Sequence, residues 1–205
     1  MIDTSPHQHF VGQAMIPHPA GVTGVVLCGG QGRRMGGQDK GLLIYQGRPL
    51  VCYALEALSG VADQVLINAN RNLDIYEALG YPVFCDETAD SPGPLAGLLT
   101  ALRRAVTPWV LTLPCDMPCF GESDLIRLCS AWQPGKPAIC TVDDGVRLHP
   151  VVALVDRGLA DSLACYLSGG GRKVQTWFCE QPLIRVDFSD RAGALRNLNT
   201  PDDWE

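Results

Sequence analysis

Residues 29–41 read Gly-Gly-Gln-Gly-Arg-Arg-Met-Gly-Gly-Gln-Asp-Lys-Gly, six glycines interleaved with Arg33, Arg34 and Lys40. Glycine lets backbone amides approach phosphate oxygens without an intervening side chain, and the cations neutralise what the amides hold. Of the sixteen Lys and Arg in the chain, three fall on eight consecutive positions here. A ligand-free surface loop explains the glycines but not that concentration of charge, so the pattern favours polyphosphate binding. Two common phosphate motifs do not fit. The dinucleotide fingerprint is met by Gly30 and Gly32 but has Met35 where its third glycine belongs. The P-loop needs glycine before its lysine and Ser or Thr after it, where Asp39 and Gly41 stand.

Other polar groups and tight turns appear where apolar runs end. Asp116, after Trp-Val-Leu-Thr-Leu-Pro-Cys, can give a hard oxygen to magnesium, with phosphates and water completing the shell. Its plainer reading is an aspartate stabilising the turn before Pro118. Asp86 can accept two hydrogen bonds from the N–H edge of guanine, or one from a ribose hydroxyl, and is equally well read as a strand-end cap. Asn68 on its own reads as an ordinary strand-end turn. Pro92-Gly93-Pro94-Leu95-Ala96-Gly97 opens a helix whose small residues permit close approach of a base or an anion. His149, before Pro150, reads as a packed or surface histidine without a chemical role. Arg172 and Lys173 read first as solvated charges at a helix start. No Ser–His or Cys–His constellation points to a nucleophilic side chain.

These residues need a scaffold that gathers them. Strands over 22–28, 64–68, 82–85 and 109–113 alternate with helices over 49–58, 72–79, 92–106 and 123–132. The strands are apolar on both faces, which suits a parallel sheet covered on both sides. Strands over 137–142 and 149–155 flank an Asp143-Asp144-Gly145 turn. Helices over 158–167 and 174–179, a strand over 183–186 and a helix start at Thr200 follow. The predicted fold class is α/β: Rossmann-like, an open, mostly parallel sheet with helices on both faces. Ligands of such sheets sit at the carboxyl ends of the strands. Residues 29–40, Asn68, Asp86 and Asp116 all fall there.

The 205 residues are 46% hydrophobic, enough for one domain, placed at 21–205 after a flexible leader over 1–20. A net charge of -6 disfavours non-specific nucleic-acid binding, so any polyphosphate must be met by a local positive site. The nine cysteines are odd in number and lack a CxxC pair. Cys28, Cys52, Cys85, Cys140 and Cys165 lie inside apolar runs, where a thiol acts as a small hydrophobe. Reduced thiols, no basic leader and no membrane-length apolar run together lead to an expected cytoplasmic location without membrane attachment.

The loop Leu27-Cys28-Gly29-Gly30-Gln31-Gly32-Arg33-Arg34-Met35-Gly36-Gly37-Gln38-Asp39-Lys40 resembles the signature of nucleotidyltransferases, and most closely that of the molybdenum cofactor guanylyltransferases. Cys28 replaces the alanine usual there. Asn68-Ala69-Asn70-Arg71, Asp86, Pro92 to Gly97, Pro114 to Pro118 and Asn197-Leu198-Asn199-Thr200-Pro201 follow in that family's order and spacing, so the resemblance covers about residues 22–204. It implies GMP transfer from GTP to the terminal phosphate of molybdopterin, with Mg2+ on Asp116. It also implies catalytic roles for Arg34, Lys40 and Asp116. Nucleotide contacts would come from Leu27, Cys28, Gly29, Gly30, Lys40, Asn68, Asp86, Gly93, Pro94, Leu95 and Asp116, and pterin-side contacts from Asn197 and Asn199. Contact with molybdenum insertion proteins and molybdoenzyme chaperones would fit the same resemblance.

Three rival readings are weighed against it. Molybdopterin cytidylyltransferases usually carry Leu-Ala-Ala-Gly in the loop and lack the Gly-Pro-Leu-Ala-Gly segment, so Gly29-Gly30 and residues 93–97 favour guanine. Sugar-nucleotide pyrophosphorylases usually have longer chains. A non-catalytic adaptor presenting the cofactor would have no need of both Lys40 and Asp116.

Overall fold

A computed structural model of the chain describes residues 19–28, 39–87, 93–135 and 138–198. Gly29, Gly30, Arg34, Asn199 and all of the expected leader except Pro19 and Ala20 lie outside the described residues.

The strands are β1 (Val22–Leu27), β2 (Ile44–Tyr45), β3 (Arg48–Pro49), β4 (Gln64–Asn68), β5 (Val83–Phe84), β6 (Trp109–Pro114), β7 (Ile139–Asp143), β8 (Leu148–Asp156) and β9 (Leu183–Asp187). Seven of them form one sheet in the order β5-β4-β1-β6-β8-β7-β9. Every pair in it is parallel except those made by β8, which runs antiparallel to both β6 and β7. The expected mostly parallel α/β sheet is therefore present, with one reversed strand inside it. That reversal brings the start of β8 alongside the carboxyl end of β6.

Helices cover both faces: α1 (Leu50–Ser59), α2 (Leu73–Glu77), α3 (Pro94–Arg104), α4 (Glu122–Ser130), α5 (Ala160–Ser168) and α6 (Val174–Cys179). Alternate residues of the central strands explain this. Val22 and Val26 join a core with α1 and α4, while Val25 and Leu27 join a second core with α3, α5 and α6. Trp109, Leu111 and Leu113 divide from Val110 in the same way along β6. Each such side chain, once buried, contributes about 1.5–3 kcal/mol, so a strand that is apolar at every position is stable only between two helical layers. Helix α3 has Pro94 in its first turn after Gly93 at φ 132, a backbone angle suited to glycine. Helix α2 stops before Gly80 at φ 84.

Several local expectations change. The segment between the glycine-rich loop and α1 forms the hairpin β2–β3, turning at Gln46 (φ 47) and Gly47 (φ 81). Two positive φ angles in succession match the tight hairpin turn whose twist suits the flanking strands. Cys28 and Cys140 are buried as expected, but Cys85 and Cys165 are exposed. Cys85 follows the short edge strand β5, and Cys165 faces outward from α5, so neither acts as a core hydrophobe. Among the described residues, no helix is long and apolar enough to cross a membrane.

Candidate active site

The ends of β4, β1 and β6 lie side by side, because Leu27 pairs with both Asn68 and Pro114. The Cys28 amide donates to the Asn68 carbonyl at 2.9 Å, and the Cys115 amide to the Leu27 carbonyl at 3.2 Å. The three strands thus present their following loops to one rim. Two groups of predicted residues assemble on it.

The first group is built around Asp116. Lys40 Nζ donates to Asp116 Oδ2 at 3.2 Å, across 76 positions of sequence. Asn197 Nδ2 donates to the same oxygen at 3.2 Å, and the Leu198 amide bonds to the Asp116 carbonyl at 2.9 Å. The loop after β1, the end of β6 and the chain near residue 197 therefore converge on one carboxylate. Its other oxygen, Oδ1, is buried without a hydrogen-bond partner among the described residues. A buried carboxylate oxygen left open is costly unless something positive meets it, and a hard cation sharing phosphate ligands would do so. Among the described residues, no cluster of three or more His, Cys, Asp or Glu side chains could cage a metal. Asp116 would thus serve as protein ligand to a cation held mainly by phosphate and water.

The second group surrounds Asp86. Asn68 Nδ2 donates to Asp86 Oδ1 at 2.8 Å, Asn70 Nδ2 donates to Oδ2 at 2.8 Å, and the Asp86 amide returns a bond to Asn70 Oδ1 at 2.8 Å. The start of α3 stands against this pair. A Cβ on Gly97 would lie 2.3 Å from Asn68 Oδ1 and 3.4 Å from Asp86 Oδ1, so only glycine fits without displacement. Asn68, Asp86 and the helix carrying Gly93 and Pro94 thus lie against one another and would together bound a nucleotide recess. Leu27 and Leu95 send their side chains into the core beneath α3, which leaves chiefly their backbone groups to face a ligand.

Comparison with known proteins gives the family of the chain. Residues 24–182 match the model of the MobA-like NTP transferase domain. Molybdenum cofactor guanylyltransferase of Ralstonia nicotianae is 44% identical over 196 residues, covering 91% of this chain and 95% of that one. The protein so named from Shewanella frigidimarina is 39% identical over 181 residues, covering 88% and 92%. The chain belongs to the molybdenum cofactor guanylyltransferase family. The solved structure of molybdopterin-guanine dinucleotide biosynthesis protein A from Archaeoglobus fulgidus superposes with a TM-score of 0.72 at 21% identity, covering 89% of this chain and 94% of that one, and so shares the fold.

Sequence reasoning gave no role to one residue that braces this candidate site, Asp39. Asp39 is buried, with its side chain 4% exposed. Its Oδ1 accepts from Tyr76 Oη at 2.7 Å and from the Gly41 amide at 3.3 Å. Its Oδ2 accepts from Asn72 Nδ2 at 3.0 Å and faces Arg71 Nε at 3.4 Å. A Cβ on Gly41 would lie 2.4 Å from the Tyr76 hydroxyl, so the loop is pressed directly against that ring. Burial, with Cys28 nearby and the bond to Asp39, pushes the Tyr76 phenol upward, so it stays protonated and donates. A hydrogen bond to Cys28, together with burial, likewise pushes the Cys115 thiol up and keeps it unreactive. Asp39 fixes the backbone from which Lys40 reaches Asp116. The available signal was an aspartate in a loop otherwise built from glycines and cations.

Asp39→Asn is expected to lower stability by about 1–3 kcal/mol, because a buried charged acceptor is lost to three donors and to the Arg71 guanidinium facing it. It should also slow turnover about tenfold by loosening Lys40. Denaturant melts and initial rates on the same preparation check both effects. Arg172 donates to the Leu167 carbonyl at 2.9 Å and to the Gly171 carbonyl at 2.6 Å, closing the end of α5.

Proposed function

We propose that this chain transfers GMP from GTP to the terminal phosphate of molybdopterin, releasing pyrophosphate. The observation that carries the reading is the Lys40–Asp116 pair at 3.2 Å beside the open Oδ1, on the rim that also holds Asn68 and Asp86. The acceptor phosphate is already ionised at neutral pH, so no side chain need abstract a proton. The protein's part is to position two anionic reactants and offset their charge. Lys40, with Arg34 from the same loop, neutralises the leaving pyrophosphate. Asp86 and Asn68 take the guanine or its ribose, and the start of α3 closes over that recess. Asp116, whose Oδ1 is open, would hold Mg2+, which would supply Lewis-acid stabilisation of phosphate charge. Lys40, 29% exposed, would turn its ammonium from Asp116 to phosphate when nucleotide is bound.

The test is pyrophosphate release with molybdopterin and Mg2+, GTP against CTP. A preference for GTP of about 10²-fold or more is expected, because a recess built to pair the guanine edge leaves polar groups unpaired when cytosine occupies it. Equal turnover of both nucleotides would remove the guanine assignment. No pyrophosphate from either would favour the adaptor reading.

A further inference from the structure

Asp39 is a carboxylate buried at the end of the glycine-rich loop, and the hydrogen bonds it accepts come from neutral groups. The Tyr76 hydroxyl, the Gly41 amide and the Asn72 carboxamide donate to it at 2.7, 3.3 and 3.0 Å. Such donors fill the lone pairs of a carboxylate and leave its negative charge in place. Lys40, the next residue, is already engaged with Asp116 at 3.2 Å. The positive charge opposite Asp39 comes from a different strand end. Arg71, three residues beyond β4, brings Nε to 3.4 Å from Asp39 Oδ2.

That contact is built into the path of the chain. Asn72 has φ 51, a left-handed backbone that asparagine tolerates better than most side chains. The bend lets two consecutive side chains, Arg71 and Asn72, meet the same oxygen. Helix α2 starts directly after it, and Tyr76 in that helix reaches the other oxygen. The Asp39 side chain is 4% exposed and that of Arg71 32%, so the carboxylate is sealed while the guanidinium keeps access to solvent.

A carboxylate in this place works against the chemistry proposed for the loop. The segment that would cradle a triphosphate ends at Asp39 and Lys40. Salt screens exposed charges beyond about 10 Å, and buried ones much less. An unpaired Asp39 would therefore repel phosphate oxygens held by its own loop, more strongly with each phosphate added. Paired with Arg71, it braces the loop without adding net charge.

We propose that Arg71 is the counter-charge of the phosphate loop: by offsetting Asp39 it lets a loop braced by a carboxylate accept a polyphosphate, and so sets the preference for a triphosphate over shorter phosphate chains. Arg71 acts through Asp39 and is a positioning residue. The inference rests on the guanylyl-transfer reading for the identity of the nucleotide.

The test is calorimetric binding of GMP, GDP and GTP to wild type, Arg71→Gln, Arg71→Lys and the double variant Arg71→Gln/Asp39→Asn. Gln can still donate to Asp39 but carries no charge, and Lys carries the charge without the planar fork. In Arg71→Gln the affinity for GTP is expected to fall about tenfold or more and that for GMP less than about threefold, with GDP between them. Added salt should narrow that spread. Arg71→Lys should recover most of the GTP affinity. Adding Asp39→Asn to Arg71→Gln should raise GTP affinity again, because the loop returns to neutrality. If Arg71→Gln does not fold, through the buried charge it leaves unpaired, the double variant lacks that charge and carries the test. Its ratio of GTP to GMP affinity should then lie within about threefold of wild type, and a larger change would overturn the inference. Unchanged binding or equal weakening of all three nucleotides in Arg71→Gln would also overturn it, as would a Lys variant no better than Gln. A double variant that binds GTP more weakly than Arg71→Gln would do the same. Each of these results leaves guanylyl transfer standing. A wild type that binds none of the three nucleotides would end the guanylyl-transfer reading and the inference with it.

Discussion

Replacing Asp116 with Asn is expected to lower kcat/KM for guanylyl transfer about 10³-fold while the protein stays folded. The substitution keeps the shape of the side chain and removes its charge. Asn can still accept from Lys40 or Asn197, so the local chain path should hold. What goes is the negative charge shared by Oδ2, which takes the lysine contact, and Oδ1, which is left open. Stability should change little. The Lys40 side chain is 29% exposed and can return to water, so its partner's loss does not strand a buried charge. Thermal melts paired with single-turnover kinetics check the two halves of this expectation. Lys40→Met should cost nearly as much alone as the double variant does, because two groups acting on one charge transfer are not additive. Turnover within about tenfold of wild type in Asp116→Asn would remove the metal assignment.

Gly97→Ala should do the reverse, sparing the chemistry and damaging nucleotide capture. The added methyl would sit 2.3 Å from Asn68 Oδ1, and Asn68 is 2% exposed, so the amide must move rather than yield freely. Moving it breaks the 2.8 Å bond to Asp86. That loss costs about 1 kcal/mol. Alanine returns about as much by its higher helix propensity within α3. The melting temperature should therefore stay near that of wild type while the KM for GTP rises about 10–100-fold. Steady-state kinetics with GTP varied, alongside a melt, measure both. An unchanged KM would show that the Asn68–Asp86 pair does not touch the nucleotide.

Much of this was legible before any coordinates. The strands that carry the site are apolar on both faces, and that pattern demands a doubly covered sheet. Polar residues ending such strands, Asn68, Asp86 and Asp116, stand out against it and point to the ligand rim. The glycines and cations of residues 29–41 stand out for the same reason. Other features were not legible, because they depend on contacts between distant segments. Nothing local marks Tyr76 as the partner of Asp39, 37 positions away. The hairpin β2–β3 has strands of two residues each and a Gln-Gly turn, too short for any periodicity to register. The turn at residues 143–145 announced the hairpin β7–β8, but not that β8 would be the strand to join β6. That choice puts residues 147–151 beside Asp116. His149 is packed, as its apolar setting suggested, and only the fold pairs it with Asp144 at 2.7 Å.

On the proposed reading, the reversed strand also separates two kinds of selectivity along the chain. Every residue assigned to the base, ribose and triphosphate precedes α3 or lies in its first turns, and every residue assigned to the incoming partner lies at or beyond Asn197. Asp116 alone stands between them, at the centre line of the sheet. On the proposed reading, donor choice and recipient choice draw on two stretches of polypeptide that do not overlap, joined at Asp116 by its bond from Asn197.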